Sequence, residues 1–282
     1  MASLLKRLFG KKDEPAHPMR DVAALMRPLA EPAIHIVQSD TPSLSWVGGM
    51  PALPSGVVWP EHEGKRLDFL ARLSLSDLHA AHPIEWLPTN GYLLFFYDIA
   101  RQTWGFDPRD RGSARVLYVA DSAPLHSADD DGAKNLPPAL PRYDVGFRKI
   151  EVLPSFERAC VEALHLSDQE SDALCDASDA VFDGKPLHQV GGYPAPVQGD
   201  TMELDCQLVT NGLYLGNPEG YKSVVAKELS PGADKWVLLL QFDTDDELDI
   251  MWGDAGRIYY WVEKEAARAG DFSNVWLVLQ CS

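Results

Sequence analysis

Cysteine is scarce in this chain and never clustered. Its four cysteines, Cys160, Cys175, Cys206 and Cys281, form no C-x-x-C pair. That argues against a zinc knuckle or a disulfide framework and predicts reduced thiols in the cytoplasm. No apolar run is long enough to cross a bilayer. The reactive signatures H-E-x-x-H, G-x-S-x-G, G-x-G-x-x-G and a phosphate-binding GKS or GKT are all missing. No cofactor or catalytic residue is therefore expected, and the chain reads as non-enzymatic. Cations are in deficit, with 25 Lys and Arg against 42 Asp and Glu, a formal charge of -17 over 282 residues. Such a charge opposes direct contact with nucleic acid. It allows electrostatic attraction to a basic protein.

Glycine and proline, by contrast, are placed with care. Leu44–Gly56 (LSWVGGMPALPSG) is written again at Leu187–Gly199 (LHQVGGYPAPVQG), both fitting L-x-x-V-G-G-x-P-A-x-x-x-G. Paired glycines give access to positive φ, and the proline two residues on makes the residue before it extended. Each copy predicts a fixed corner at the end of a strand. The separation is far too long for a solenoid repeat. It predicts two related halves, about 30–145 and 146–282, within one domain spanning 19–282.

After each corner the order is similar: an apolar strand, an acidic turn, then a glycine-led aromatic strand. Leu67–Leu73, Gly91–Asp98 and Arg115–Asp121 are the expected strands of the first half. Trp236–Phe242, Gly256–Val262 and Val275–Cys281 are those of the second, which also begins with a strand over Arg148–Leu153. Ala33–Gln38 adds another. Helical spacing marks Met19–Glu31, Ser155–His165 and Asp168–Phe182, with Ser167 placed as an N-cap. An extra stretch, Met202–Asp234, has no counterpart in the first half. The acidic, proline-bearing segment Ser122–Arg142, with Asp129–Asp131, is the expected seam. The fold class is α+β, mainly antiparallel, with two duplicated halves about a pseudo-twofold and helices outside. Residues 1–18 form a basic tail whose segment Met1–Lys12 offers a weak membrane-surface contact.

Two segments attract a functional reading. Asp243, Asp245, Glu247 and Asp254 fall at positions 1, 3, 5 and 12 of an EF-hand loop, although Leu248 stands where the loop needs glycine. A solvated acidic turn explains them as well, and no metal site is assigned. Trp252 is either an interface anchor or core. Arg257 is expected to pair with Asp254 or Asp271. The second segment is the corner itself, with Gly192, Gln198 and Asp200 as candidate contacts.

Several stretches, VGGMPALPSGVVWP, LDFLARLSLSDL, GYLLFFYD, HQVGGYPAPVQGD and LLLQFDTDDELDIMWGDAGRIYYWV with DFSNVWLVLQC, resemble the YwqG-like family of uncharacterised bacterial proteins, from about Ala33 onward. The resemblance implies a soluble cytosolic α+β protein with duplicated halves and supplies no catalytic residues. The leading expectation is a protein-binding module, such as an antitoxin or immunity protein covering a basic toxin. The alternative is a small-molecule or divalent-cation site between the halves, built from Asp243–Asp254 and the second corner.

Overall fold

The computed structural model describes residues 19–127 and 137–282. The basic tail, with the membrane-surface contact expected of Met1–Lys12, lies outside the described residues, as does the acidic run Asp129–Asp131. Ten strands build one sheet. They are β1 (Glu31–Gln38), β2 (Trp46–Gly49), β3 (Asp68–Ser74), β4 (Tyr92–Tyr97) and β5 (Ala114–Val119), then β6 (Leu140–Val152), β7 (Gln189–Val190), β8 (Trp236–Asp243), β9 (Arg257–Glu263) and β10 (Trp276–Gln280). Across the sheet the order is β10-β9-β8-β7-β1-β6-β2-β3-β4-β5, and every neighbouring pair is antiparallel. The middle of the sheet is the β1–β6 pair, in register from Glu31 opposite Val152 to Gln38 opposite Val145.

Each corner strand pairs with a central strand from elsewhere in the chain. Val47 of β2 lies opposite Tyr143 of β6, and Val190 of β7 lies opposite Ile34 of β1. Both valines are buried, as the corner motif requires. The glycines that follow have nearly the same backbone, φ +65° and +66° at Gly48 and Gly49 against +70° and +68° at Gly191 and Gly192. Only glycine holds such angles without strain.

The sheet curls until its two wings meet, which makes it nearly a barrel. The Tyr260 hydroxyl donates to the Phe96 carbonyl at 3.1 Å. The Trp276 indole donates to the Gly105 carbonyl at 2.8 Å, and the Leu279 amide to the Trp104 carbonyl at 3.1 Å. Inside the curl, Leu73, Phe95 and Tyr97 from one wing pack in the same core as Leu240, Tyr260 and Leu279 from the other. This explains the dense apolar runs GYLLFFYD and GRIYYWV. A strand covered on both faces has no solvent side on which to alternate. The outward residues Trp236, Leu238, Tyr259, Trp261, Trp276 and Val278 are covered by the helix Met202–Thr210, through Met202, Cys206 and Val209. The stretch Met202–Asp234 is therefore a helical cover for this wing. On the other wing, Phe69, Leu94 and Phe96 are covered by Leu53, Trp59 and Leu67. No described helix is long and apolar enough to cross a membrane.

Three expectations need correction. Met19–Glu31 is helical only over Val22–Met26, followed by a 3-10 turn over Arg27–Leu29, because Pro28 interrupts the run and Glu31 already begins β1. Ser155–His165 is helical only over Ala159–Glu162, because Arg158 is held extended, at φ -75° and ψ 138°, where its guanidinium reaches Asp200 and Glu203. The strand expected at Arg148–Leu153 begins much earlier, at Leu140, because β6 spans the sheet centre and bonds to both β1 and β2. The helix Asp168–Ala180 begins as its sequence predicts. Ser167 accepts from the Glu170 amide at 3.3 Å, and Glu170 accepts from the Ser167 amide at 2.9 Å.

Candidate ligand groove at the second corner

The acidic segment is tied down residue by residue. Asp243 ends β8, and its carboxylate accepts from the Leu187 amide at 2.8 Å, the Thr244 amide at 3.1 Å and Arg257 Nε at 3.0 Å. Asp245 caps the turn Asp246–Leu248 by accepting from the Glu247 amide at 2.9 Å. Its other oxygen accepts from the Tyr143 hydroxyl and from His188 Nε2, the latter at 3.1 Å. His188 Nδ1 accepts the Asp243 amide at 2.9 Å, so the proton sits on Nε2 and the ring has no free lone pair. The same ring stacks on Phe242 with centroids 4.2 Å apart. Burial pushes the Asp245 carboxyl upward, but the bonds from His188 and Tyr143 outweigh it and hold the group below its usual range. Tyr143, His188, Asp243 and Asp245 line a hollow of about 740 Å³.

The remaining residues of this segment scatter. Trp252 is fully buried; its indole donates to the Asp243 carbonyl at 3.0 Å, and its ring meets Tyr97 edge-on. It is core and not an interface anchor. Arg257 pairs with Asp243 and not with Asp254 or Asp271, because β8 and β9 place residues 243 and 257 opposite each other. Glu247 and Asp254 are exposed. The EF-hand spacing does not produce a cation cage: among the described residues, no three His, Cys, Asp or Glu side chains stand together as metal ligands.

The second corner is held by three buried glutamines. Gln189 of β7 donates to the carbonyls of Gly191 and Tyr193, at 2.9 and 2.8 Å. Gln241 of β8 donates to the Leu187 carbonyl at 2.6 Å and accepts from the Ala195 amide at 2.8 Å. Gln280 of β10 accepts from the Val197 and Gln198 amides, at 2.9 and 3.1 Å, and donates to the Gly199 carbonyl at 2.8 Å. These amides take the place that a neighbouring strand would fill, satisfying a loop that makes few ladder bonds of its own. Their sequence signal is a lone glutamine inside an apolar run, as in WVLLLQF and VWLVLQC. Arg257 and Tyr259 complete the clamp, both donating to the Ala195 carbonyl, at 3.1 and 2.8 Å.

Downstream, Gln198 is exposed and contributes only its amide. Asp200 has a fully buried side chain that accepts twice from Arg158, each at 2.6 Å, and from the Ser155 hydroxyl at 2.8 Å. Arg158 also reaches Glu203 at 2.8 Å and lies over the Tyr193 ring, 4.8 Å from its centre. Asp200 is thus an anchor for Arg158. A Cβ on Gly192 would come within 2.6 Å of Val152 and 2.8 Å of Ala33.

Of the predicted residues, Asp243, Asp245 and Glu247 line the hollow beside His188, Gly192 borders two others, and Arg257 lines a groove at the corner's exit. This groove, of about 390 Å³, runs between the corner's exit, Tyr193–Val197, and the helix Asp168–Ala180. Phe156, Leu174, Cys175 and Phe182 give it an apolar wall, and Gln189 and Arg257 are its inner polar groups. Gln189 is fully buried and both its N–H bonds are used, but its side-chain oxygen has no hydrogen-bond partner among the described residues. A buried acceptor left bare costs about 1–3 kcal/mol unless a ligand or water meets it. Sequence reasoning missed Gln189, although it stands beside the corner valine.

A family model described as a domain of unknown function, DUF1963, matches residues 45–281. No curated protein matches the chain.

Proposed function

We propose that this chain, which belongs to the DUF1963 family, is a non-enzymatic protein that binds a small molecule in the groove between its second glycine corner and the helix Asp168–Ala180. The bare oxygen of Gln189, buried on the groove wall, carries the proposal. The volume and lining suit a ligand with an apolar body and one N–H or O–H donor aimed at Gln189. Arg257 is already neutralised by Asp243 at 3.0 Å, so the site favours a neutral or weakly polar head. The non-enzymatic part rests on how the reactive groups are occupied. Both nitrogens of His188 are bonded, and desolvation raises the Cys175 thiol at the groove, which makes it a poor nucleophile.

Ser178, half-buried on the groove wall, is the place to close it. Thermal-shift and calorimetric screening of the purified protein with a metabolite library should yield a ligand that raises the melting temperature. Ser178→Trp should abolish the shift while leaving the apo melting temperature near wild type. A library that leaves the wild type unmoved, or a hit indifferent to Ser178→Trp, defeats the proposal.

A protein-binding role, of the immunity kind, draws support from the net charge of -17 and from the exposed Tyr214, Val224 and Val225. A stoichiometric basic partner recovered from native lysate at low salt would move this role to the front. We also infer an internal doubling, of the sort the YwqG-like resemblance implies for bacterial relatives. Its support is the matched φ angles of the two corners and the mirrored placement of β2-β3-β4-β5 and β7-β8-β9-β10 on either side of β1 and β6. Cytoplasmic residence fits the free cysteines, two of them exposed.

A further inference from the structure

We propose that a second cleft, bounded by Gly191, Trp86 and Trp261, binds the ring of a neutral, polyhydroxylated ligand such as a sugar. The cleft has a volume of about 310 Å³ and opens beside a second hollow of about 430 Å³; the two share Trp86, Gly191 and Gly192. Together they hold more than one ring.

Room at the corner is the first observation. The two corners differ in what faces their leading glycine. A Cβ on Gly48 would come within 1.8 Å of the Pro141 carbonyl oxygen, so the chain itself fills that space. A Cβ on Gly191 would meet nothing nearer than Trp86, at 3.8 Å. The second corner therefore leaves space beside Gly191, facing the half-buried ring of Trp86.

The second observation is a spare donor. Trp236 and Trp261 both contribute to the wall. The Trp236 indole N–H is used, donating to Gln207 at 3.0 Å. Trp261 is 1% exposed, and its indole N–H has no acceptor among the described residues. An indole nitrogen is a donor only, so an acceptor oxygen is the group that would satisfy it.

Charge selects the ligand class. The lining carries Glu31 and Glu203 against Arg158 and Lys264, two of each sign. Arg158 bonds Glu203 at 2.8 Å, and burial raises the Glu203 carboxyl above its usual range. A cation or an anion would meet a like charge in this balanced ring. A hydroxyl meets no penalty, since it donates to a carboxylate and accepts from an ammonium or an indole. The C–H face of a sugar ring also suits the half-buried ring of Trp86, which buries area at little entropic cost.

Intrinsic tryptophan fluorescence and calorimetry on the whole chain test this, with glucose, N-acetylglucosamine and maltose as probes and choline and citrate as charged controls. At least one sugar should bind saturably at millimolar concentration or below. Trp261→Phe keeps an aromatic ring and removes the donor; it should weaken that sugar about five- to tenfold in a variant that is less stable, for the cavity left in the core, but keeps the wild-type circular dichroism spectrum. Ser178→Trp, which closes the first groove, should leave sugar binding intact, so the two sites stand or fall separately. Three results overturn the proposal: no saturable sugar, saturation by choline or citrate in place of sugars, or sugar binding indifferent to Trp261→Phe.

Discussion

Asp205→Asn should stabilise the protein at neutral pH and do nothing in acid. Asp205 lies in the helix Met202–Thr210 that covers the outward tryptophans of β8–β10, and it is 3% exposed. Burial, against the bonds from Tyr221 at 2.8 Å and Thr201 at 3.4 Å, pushes its carboxyl up from 3.8 to about 6. The folded state thus holds a proton that the unfolded chain has already released. Its contribution to stability is complete below pH ~4, fades as pH rises toward ~6, and is absent above. The span corresponds to about 3 kcal/mol of penalty at pH 7 for keeping the ionised form buried. Asparagine matches the shape, accepts from Tyr221 as before, and carries no charge. Urea unfolding of wild type and variant at pH 4 and pH 7 measures the difference directly. A gain of about 2–3 kcal/mol at pH 7, shrinking to near zero at pH 4, is expected. An equal effect at both pH values, or a variant less stable at pH 7, refutes the reasoning that burial dominates at this carboxyl.

Two further substitutions probe the corners. Gln280→Leu leaves the Val197 and Gln198 amides without their acceptor; it should cost about 3 kcal/mol, and hydrogen exchange should show those two amides losing protection. Gly48→Ala combines a positive φ with a 1.8 Å clash against Pro141, whereas Gly191→Ala pays only for its φ of +70°. Denaturant midpoints should place the loss above about 3 kcal/mol for the first and near 1–2 kcal/mol for the second. Equal losses would mean that the second corner is packed as tightly as the first.

Much of the frame was readable before any coordinates. The runs GYLLFFYD, WVLLLQF and VWLVLQC announce strands because a segment buried on both faces has little choice but to be apolar throughout. Ser167 and Glu170 announce a helix start because their reciprocal bonds involve only near neighbours. The glycine pairs announce positive φ because no other residue tolerates it cheaply. In each case the cause and its signal lie within a few positions of one another.

Partnership across the fold obeyed no such rule. Nothing near Arg257 in sequence says that it faces Asp243 rather than Asp254; strand register decided that. Helical spacing over Ser155–His165 yielded to Arg158, drawn into an extended backbone where it bonds Asp200, 42 residues away. The groove exists only because three glutamines, distant in the chain, converge on one loop, and because one of their oxygens is left over. Residue type along the chain settled where strands, caps and turns lie, since those depend on local sterics and on burial averaged over a segment. Which polar groups meet, and which is left bare, was settled by the curl of the sheet, since a hydrogen bond depends on distances that only the closed structure defines.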